Sequence, residues 1–457
     1  MKHNFDKSII REYDIRGIYD ETLTEKDALV FGHVFSKRLN KNKNVNICYD
    51  GRKSSLPLKN SLIKGLIEGG VNVCEIGLGP TPMLYHSCYY NKAEAGIMIT
   101  GSHNPSNYNG FKVVKDNQPF YGDDLKKISI DALSYSLPRQ KGIKQTIETK
   151  LDYIKELVLS LKQKRELKIG WDAGNGSAGE IMSEISKKIN GKKILLFEKI
   201  DGNFPNHHPD PSNPKNLKDL IRVVKEEKLD IGIAFDGDGD RIGVIDNEGK
   251  IIPGDMLLLL FAKEILKEKR NAKIIGDVKC SQILFDHINS LGGKSIMSKT
   301  GHSLIKECMK KESADLAGEM SGHIFFADSY YGFDDAIYAA LRLINLLSSS
   351  KKKLSEMINE FPKLYNTPEI RIECKESEKF KIIDEITKNQ KKKKYINIDG
   401  IRVSTKNGWW LIRASNTEAA LVLRCEADSK KALNKLQKII KKELEKIDSE
   451  IANQILT

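Results

Sequence analysis

The sequence predicts an α/β protein in which three related domains, each with a mixed or parallel sheet, precede a smaller α+β domain. The first observation is a pattern of strand, helix and strand that recurs three times, each time ahead of a polar loop. The second is a C-terminal segment whose apolar and polar residues alternate as they do in antiparallel strands. A chain of 457 residues is also too long for one ordinary core.

Each repeat opens with a strand that ends in an aspartate, at Asp50, Asp172 or Asp277. A helical pattern and a second strand follow, and a third apolar strand then leads into the polar loop. Alternating strands and helices favour right-handed crossovers and mainly parallel sheets. Because parallel sheets place ligand-binding loops at the carboxyl ends of their strands, we expect the three polar loops to form one shared active site.

The C-terminal segment is predicted to be a separate α+β domain. Its four strand-like runs, EIRIEC, KYINIDGIRVST, GWWLIRAS and AALVLRCEA, are flanked by helical patterns over 376–388 and 429–447. Prolines mark two of the predicted boundaries, at Pro253 and at the pair Pro362 and Pro368. We predict four domains with the ranges 1–148, 149–252, 253–363 and 364–457.

Composition narrows the class of protein. No segment approaches the roughly 20 consecutive apolar residues of a membrane span, and the N-terminus lacks the apolar stretch of a secretory signal. The seven cysteines form no CxxC pair and are predicted to be reduced thiols. We therefore expect a cytoplasmic protein with no membrane partner.

The net charge of +13 admits two interpretations. A basic surface can indicate nucleic-acid binding, but here the lysines are spread over helix faces, and the one dense cluster, 391–394, falls in a predicted loop. No nucleic-acid-binding signature accompanies that cluster. We expect a solvated lysine-rich surface, no nucleic-acid partner, and a positive field that helps to capture an anionic small molecule.

The loop DGDGDR of the second repeat predicts a metal site. Asp236, Asp238 and Asp240 alternate on a glycine-rich turn, so their oxygens can face one point, as small hard cations such as Mg²⁺ require. The loop is not an EF-hand, because the sixth position is Arg241 and the twelfth is Asn247. The alternative is an acidic surface turn, which mutual repulsion of the aspartates disfavours unless a cation lies between them. The arginine also suits phosphate oxygens.

The loop TGSHNP of the first repeat places Ser102 directly after a strand. A serine there could be a nucleophile or could carry a phosphoryl group, and the alternative is an ordinary turn serine. The acyl-transfer motif GxSxG is absent. A phosphoserine would add about −1.5 to −2 charge and three acceptor oxygens, which could complete the coordination shell of a Mg²⁺ held by three aspartates.

Each of two further loops has two interpretations. GNGSAG, residues 174–179, matches the dinucleotide fingerprint, with Glu198 near the expected acidic position, and NAD binding is one hypothesis. The equivalent turns of the other repeats lack the glycines, so we favour a tight strand-to-helix turn.

RASNTEAAL, residues 413–421, combines an arginine, hydroxyls and an amide that suit an oxyanion, or else forms a polar hairpin turn. A Walker A motif is absent.

Together these loops resemble the α-D-phosphohexomutase family over essentially the whole chain. Four motifs stand in the family's order: the phosphoserine loop TGSHNP, the metal loop DGDGDR, the sugar loop GEMSGH and the phosphate loop RASNT. REYDIRG near the N-terminus, DVKCS around Lys279 and KTGHSLIK around His302 also fit the family. GEMSGH resembles the bacterial phosphomannomutase/phosphoglucomutase branch. The resemblance implies that the four domains surround a central cleft.

The resemblance also implies an activity and a set of site residues. The activity is the Mg²⁺-dependent interconversion of hexose 1-phosphate and hexose 6-phosphate, with mannose or glucose as the sugar. It implies one Mg²⁺ per chain, a phosphorylated Ser102, hexose 1,6-bisphosphate as intermediate and activator, and a monomer. The implied metal ligands are Ser102, Asp236, Asp238 and Asp240. The implied catalytic residues are Arg16, Ser102, His103, Lys112, Arg241 and His302. The implied substrate-binding residues are Tyr13, Lys279, His302, Glu319, Met320, Ser321, Gly322, His323, Arg413, Ala414, Ser415, Asn416 and Thr417.

Alternatives remain open within and outside this class. A phosphoglucosamine mutase is the nearest enzymatic alternative, although its sugar loop differs from GEMSGH. An inactive sugar-phosphate binding protein is disfavoured by the intact Ser102, metal loop and Arg413. A basic nucleic-acid binder would show tight and salt-sensitive binding to DNA or RNA. The preference for mannose or glucose depends on pocket geometry, because the two sugars differ at one hydroxyl.

Overall fold

The predicted fold class is confirmed by a computed structural model, which describes residues 1–40, 43–390, 394–416 and 419–455. Four β-sheets follow one another along the chain, three with parallel central strands and one entirely antiparallel. No helix among the described residues is long and apolar enough to cross a membrane. The exact domain ranges given above remain predictions.

The first unit contains a seven-stranded sheet in the order β1-β5-β4-β2-β3-β7, with β6 beside β5. Its strands are β1 (Ile15–Ile18), β2 (Asn44–Tyr49), β3 (Asn72–Leu78), β4 (Ala95–Ile99), β5 (Tyr108–Lys115), β6 (Gln118–Pro119) and β7 (Lys144–Thr146). Its helices are α1 (Glu25–Phe35), α2 (Ser55–Glu68), α3 (Thr81–Tyr90) and α4 (Asp123–Asp131).

The second unit contains a five-stranded sheet in the order β12-β11-β10-β8-β9. Its strands are β8 (Ile169–Asp172), β9 (Lys193–Leu196), β10 (Ile231–Phe235), β11 (Ile242–Asp246) and β12 (Ile251–Ile252). Its helices are α5 (Lys150–Leu159), α6 (Gly179–Ser186) and α7 (Lys218–Glu226).

The third unit contains a four-stranded sheet in the order β14-β13-β15-β16. Its strands are β13 (Lys273–Asp277), β14 (Lys294–Ser298), β15 (Leu316–Gly318) and β16 (Ile324–Phe326). Its helices are α8 (Gly254–Glu268), α9 (Gln282–Ser290), α10 (His302–Glu312), α11 (Ala336–Ser348) and α12 (Leu354–Ile358).

The fourth unit contains a six-stranded antiparallel sheet in the order β17-β22-β21-β20-β19, with β18 also paired to β22. Its strands are β17 (Tyr365–Asn366), β18 (Ile370–Glu373), β19 (Tyr395–Ile396), β20 (Ile401–Thr405), β21 (Gly408–Ala414) and β22 (Ala420–Ala427). Its helices are α13 (Lys379–Asn389), α14 (Lys430–Glu445) and α15 (Ser449–Asn453). The run KYINIDGIRVST is two strands rather than one, because the chain turns at Gly400, where φ is +73°.

The first three units repeat one topology around their central strands. In each unit the opening strand (β2, β8 or β13) pairs in parallel with both the second and the third strand of its repeat. The third strand then pairs with an antiparallel fourth strand. The signature loops connect these last two strands in every copy. They therefore leave the carboxyl ends of equivalent strands, as ligand-binding loops of α/β sheets do.

The core holds the three repeats against one another. One hydrophobic cluster includes Met83 of α3, Trp171 of β8, Leu258 of α8 and Ile337 of α11, all with 0% exposure. Helix α8 is buried on every side from Leu257 to Ala262. Each fully buried large apolar side chain contributes about 1.5–3 kcal/mol. The loops above this core are thus supported by rigid elements from three units.

Candidate active site

The loop after β4 brings Ser102 to the metal loop after β10. Ser102 is 2% exposed and has a φ of +49°, which is uncommon for residues other than glycine and clusters at functional sites. Its Oγ donates to Oδ2 of Asp236 at 3.1 Å and lies 3.2 Å from Nδ1 of His103. Gly237 permits this approach, because a Cβ there would lie 2.4 Å from the Ser102 carbonyl oxygen.

The three aspartates of the metal loop are buried inside a network of donors. Oδ1 of Asp236 accepts from the backbone amide of Asp240 at 3.0 Å. Nζ of Lys112, on β5, donates to Oδ2 of Asp238 at 2.6 Å and also to Oδ2 of Asp240. The hydroxyl of Thr81, at the start of α3, donates to Asp238 as well. These donors offset part of the repulsion between the carboxylates.

The remaining carboxylate oxygens fit a divalent cation. One ligand oxygen from each of Asp236, Asp238 and Asp240 lies within 4.8 Å of the other two. Oδ1 of Asp238 and Oδ1 of Asp240 are buried and accept no hydrogen bond from any described residue. Burying charged oxygens without a partner is costly, and a hard cation with oxygen ligands would remove that cost. The Ser102 hydroxyl lies close enough to Asp236 to extend this ligand set.

Charge is divided unevenly within the cluster. Burial and the neighbouring aspartates raise the pKa of Asp236 well above its ordinary value, and burial together with Asp238 raises the pKa of Asp240. Burial also opposes the charged form of Asp238, but Lys112 outweighs it and lowers that pKa. Burial likewise opposes the charged form of Lys112, and the aspartates outweigh it and raise its pKa. Lys112 and Asp238 therefore form a charged pair.

Arg52 holds the phosphoserine loop in place, and the sequence analysis missed it. Its side chain is fully buried, and Nη2 donates to the carbonyl oxygens of Ser102 and Asn104, each at 2.7 Å. Nη1 donates to the carbonyl oxygens of Tyr108, at 3.1 Å, and Pro105. Nε donates to Asp50 at the end of β2, at 3.1 Å. One guanidinium thus fixes four backbone carbonyls around the nucleophile.

Arg16 and His103 complete the surroundings of the serine. Nη1 of Arg16 donates to Oδ1 of Asn104 at 2.6 Å, and Nη2 pairs with Asp14. Nε of Arg16 is buried and donates to no described residue. Burial, followed by the charges of Arg241 and Arg16, lowers the pKa of His103 well below its ordinary value. A neutral imidazole therefore lies next to Ser102, and Arg16 holds the same loop through Asn104.

The sugar loop lies beside the metal loop. Arg241 and His323 form an antiparallel backbone bridge, and Nε of Arg241 donates to Nε2 of His323 at 2.9 Å. Gly322 has a φ of +96°, and a Cβ there would lie 2.4 Å from the carbonyl oxygen of Ile242. Only glycine permits this close approach of the loop to β11.

Glu319 organises the inside of the sugar loop. Its Oε2 accepts from Oγ of Ser321 and its Oε1 accepts from the backbone amide of Gly301, both at 2.7 Å. The next residue, Met320, contacts the guanidinium of Arg424 from the fourth unit. Glu319 therefore joins the GEMSGH loop to the start of α10, where His302 lies.

A buried carboxylate, Asp334, lies behind the two histidines of the site. Nδ1 of His323 lies 3.1 Å and Nδ1 of His302 3.7 Å from its Oδ2. Its Oδ1 accepts from Nζ of Lys306 at 2.8 Å. The two imidazole rings stack with centroids 5.5 Å apart. Burial and then Lys306 lower the pKa of His302 well below its ordinary value, so this imidazole is neutral near pH 7.

Lys279 follows β13 and is held by carboxylates from two units. Nζ lies 2.6 Å from Oε1 of Glu369, in the fourth unit, and 3.7 Å from Oδ2 of Asp277. Burial opposes the charged form of Lys279, but Glu369 outweighs it and raises the pKa. Burial also opposes the charged form of Glu369, and the lysine lowers that pKa to about 2. The pair is therefore ionised and links two units at the site.

The RASNT loop connects β21 to β22 and meets the first unit. Nε of Arg413 and the backbone amide of Thr300 both donate to Oδ2 of Asp399, at 2.9 Å and 3.0 Å. Nδ2 of Asn416 donates to Oη of Tyr13, and that hydroxyl donates to the carbonyl oxygen of Thr300 at 2.7 Å. The loop therefore contacts elements of the first and third units.

The rest of the phosphate loop is partly described. Ala414 ends β21 opposite Leu421, and the Ser415 carbonyl oxygen accepts from Nζ of Lys379 at 2.7 Å. Thr417, predicted to bind the same phosphate, lies outside the described residues. All other predicted site residues lie on the loops and strand ends just described, and contacts between those loops join all four units.

The GNGSAG segment is a turn packed against its own chain. A Cβ on Gly176 would lie 2.9 Å from the carbonyl oxygen of Gly237, and one on Gly179 would lie 2.0 Å from that of Glu198. The amide of Ser177 donates to the Gly237 carbonyl oxygen at 2.9 Å. These glycines support the metal loop, and the space that a dinucleotide phosphate would need is filled by protein.

Several residues of the site carried no recognisable signal in the sequence. Arg52, Thr81, Asp334 and Asp399 act through other residues, and each lies outside the four motifs. Asp50 was visible as the acidic end of a strand. The equivalent Asp172 instead binds Nε2 of His207 at 3.0 Å, so the three repeated aspartates serve different partners.

Comparison with known proteins identifies the family. Four consecutive stretches match phosphoglucomutase/phosphomannomutase alpha/beta/alpha domain I at residues 7–136, domain II at 151–249, domain III at 253–365 and the C-terminal domain at 369–443. Together these matches cover most of the chain.

Relatives and a solved structure agree with this assignment. A phosphomannomutase/phosphoglucomutase from Pseudomonas putida is 42% identical over 97% of this chain and 97% of its own. A phosphoglucomutase from Neisseria meningitidis is 40% identical over 97% and 98%. The crystal structure of a phosphoglucomutase/phosphomannomutase family protein from Burkholderia thailandensis has a TM-score of 0.91 and 38% identity, covering 97% of this chain and 98% of that one. This chain therefore belongs to the α-D-phosphohexomutase family, in its bacterial phosphomannomutase/phosphoglucomutase branch.

Proposed function

We propose that the protein is a phosphohexomutase that interconverts hexose 1-phosphate and hexose 6-phosphate, with glucose or mannose as the sugar. The observation that supports this best is the contact between Ser102 and the metal loop. The hydroxyl lies 3.1 Å from Asp236, whose cluster has unpartnered oxygens suited to a cation, and Arg16, Arg241 and Lys112 surround it with positive charge. Phosphoryl transfer depends mainly on such alignment and charge neutralisation.

In this proposal Ser102 alternately donates and accepts the phosphoryl group. The phosphorylated serine gives its group to a hydroxyl of the hexose phosphate, which forms hexose 1,6-bisphosphate. The bisphosphate reorients in the cleft, and its other phosphoryl group returns to Ser102 Oγ. Mg²⁺ bound by Asp236, Asp238 and Asp240 would neutralise negative charge next to the serine. Arg16 and Arg241 hold the oxygens of the transferred group.

Lys112 and His302 suit different roles. Lys112 has a raised pKa and stays protonated, so it suits hydrogen-bond donation to phosphate oxygens. His302 has a lowered pKa and is neutral, so it suits the acceptance of a proton from the attacking sugar hydroxyl. Asp334, whose Oδ2 lies 3.7 Å from its Nδ1, would stabilise the positive charge that the imidazole gains.

The remaining loops bind the substrate. Glu319 and Ser321 present a carboxylate and a hydroxyl to sugar hydroxyls, with Met320, Gly322 and His323 shaping the same loop. Arg413, Ala414, Ser415, Asn416 and Thr417 hold the phosphate that does not react, and Tyr13 and Lys279 line the path between the two phosphates. Because the sugar reorients, the same distal loop has to accept the phosphate of either isomer.

A direct assay tests this proposal. Purified protein is mixed with α-D-glucose 1-phosphate or α-D-mannose 1-phosphate, Mg²⁺ and a trace of glucose 1,6-bisphosphate, and product formation is followed by ³¹P NMR. We expect the 6-phosphate from at least one sugar. The matched variant Ser102→Ala should keep its circular dichroism spectrum and lose turnover by orders of magnitude. Wild-type turnover in that variant would rule out the phosphoserine.

The same assay separates the alternatives. Faster conversion of glucosamine 1-phosphate than of either hexose would favour a phosphoglucosamine mutase. Tight substrate binding without conversion under any condition would favour a sugar-phosphate binding protein. Solved N-acetylglucosamine-phosphate mutases are 14–16% identical to this chain, so the likeness indicates a shared fold only.

We further infer a cytoplasmic monomer whose partners are hexose phosphates rather than nucleic acid or membranes. Sedimentation of the purified protein tests the monomer. Filter binding of DNA and RNA at two salt concentrations tests the nucleic-acid alternative, since phosphate contacts would make binding steeply salt-dependent.

A further inference from the structure

A second cavity, of about 380 Å³, lies between the first and third units. Residues of α3, β5 and β6 form one side, and residues of α10 and the segment 327–333 form the other. None of its lining residues belongs to the loops around Ser102, the three aspartates or Glu319. Its volume falls within the range of about 300–1,000 Å³ that small-molecule sites occupy.

Aromatic rings from both sides of this cavity pack against one another. The rings of Tyr331 and Phe333 are nearly parallel, at 3°, with centroids 5.8 Å apart. Tyr89 packs on Tyr331 at 4.9 Å, and Tyr85 packs on Phe333 at 5.5 Å. Flat aromatic ligands can stack on such surfaces.

Helix α10 supplies positive charge to the cavity. Nζ of Lys306 lies 4.3 Å from the Tyr85 ring centroid, and its charge is matched by Asp334. Lys310, one turn further along α10, is exposed and forms no ion pair with any described residue. The lining therefore includes an unmatched positive charge.

From this combination we infer that the cavity is a binding site for a planar aromatic anion. The ring stacks on the aromatic side chains that line the cavity, among them Tyr89 and Tyr331, and the anionic group meets Nζ of Lys310. Binding here does not depend on the mutase reaction, since the cavity and the Ser102 loop share no residue.

The probe that matches this chemistry is 8-anilinonaphthalene-1-sulfonate, which has flat aromatic rings and one sulfonate. Isothermal titration of the full chain should give one site. Lys310→Glu should weaken binding by about tenfold or more, because it places a negative charge beside the sulfonate. Lys311→Glu is the matched control, since Lys311 is also exposed in the last turn of α10 but does not line the cavity. We expect that variant to bind like the wild type.

Two further experiments test whether the probe occupies this cavity and whether its anionic group contributes to binding. N-phenyl-1-naphthylamine has the same rings and N–H group without the sulfonate, and it should bind about tenfold more weakly. Glucose 1,6-bisphosphate should not displace the sulfonate probe. The inference is overturned by equal effects of the two glutamate variants, by equal affinity for the uncharged analogue, or by displacement with the bisphosphate, which would place the probe in the active-site cleft.

Discussion

Replacing Arg52 with methionine is expected to destabilise the first unit and to inactivate the enzyme. Arg52 is fully buried and donates to four backbone carbonyls of the phosphoserine loop and to Asp50. Methionine fills a similar volume and donates nothing, so Asp50 would remain buried without its counter-charge. Removing one partner of a buried pair costs about 3–5 kcal/mol. The four carbonyls left without a donor add to that cost.

The loss of activity should exceed what instability alone produces. Without the guanidinium the loop has no anchor at the Ser102 and Asn104 carbonyl oxygens, and misplacement of a reacting group by about 1 Å costs roughly 100-fold in rate. We expect kcat to fall by at least that factor at a temperature where the variant is still folded. Arg52→Lys keeps the charge beside Asp50 but supplies fewer donors, so its stability should recover more than its kcat.

Urea denaturation and steady-state kinetics on the same preparations measure both effects. Arg222→Met is the control, because Arg222 is 57% exposed and its pairs with Asp219 and Glu226 are at the surface. That variant should match the wild type in both assays. Wild-type kcat in Arg52→Met, or equal loss of stability in both methionine variants, would refute the role given to Arg52.

Three other predictions follow from the site and the core. Arg413→Ala should weaken the binding of hexose 1-phosphate and of hexose 6-phosphate by similar factors in steady-state kinetics, because one loop holds the phosphate of both. An effect on one isomer alone would argue for separate phosphate sites. Asp238→Asn should reduce turnover and shift the Mg²⁺ titration together, whereas an unchanged metal titration would exclude Asp238 as a ligand. Burial lowers the pKa of His86 from 6.5 to about 4, so the unfolded chain binds more protons and stability falls by about 2 kcal/mol between pH 7 and pH 5. His86→Phe should lose that acid sensitivity in thermal melts at the two pH values, and an equal slope in both proteins would show that other groups cause it.

Much of the fold was predictable because its signals are local and repeated. Strand periodicity, aspartates at strand ends and glycine-rich loops all lie within short stretches, and three copies reinforce one another. The division of KYINIDGIRVST was not predicted, because only contact with β21 explains the turn: a Cβ on Gly400 would lie 2.3 Å from the Ile412 carbonyl oxygen.

The site residues likewise fall into those that short motifs reveal and those that they do not. Ser102 and the aspartates lie in short motifs that sequence reasoning can find. Arg52 contacts loop carbonyls that lie 50 to 56 residues further along the chain. Asp334 contacts histidines on other elements. Nothing local therefore distinguishes either residue from an ordinary charged residue. The GNGSAG turn shows that a motif can also suggest a ligand site that is absent, since its glycines contact Gly237 and Glu198.

Mass spectrometry of the intact protein and its peptides, before and after incubation with glucose 1,6-bisphosphate and Mg²⁺, tests the central claim most directly. A phosphoenzyme mutase predicts a single phosphate-sized mass addition on the peptide that contains Ser102. The addition should be absent from Ser102→Ala. It should be lost when the phosphorylated protein is incubated with a phosphoryl acceptor such as hexose 6-phosphate. A protein that stays unmodified at Ser102 under every condition would contradict the account, and the buried carboxylates of the metal loop would then need another explanation.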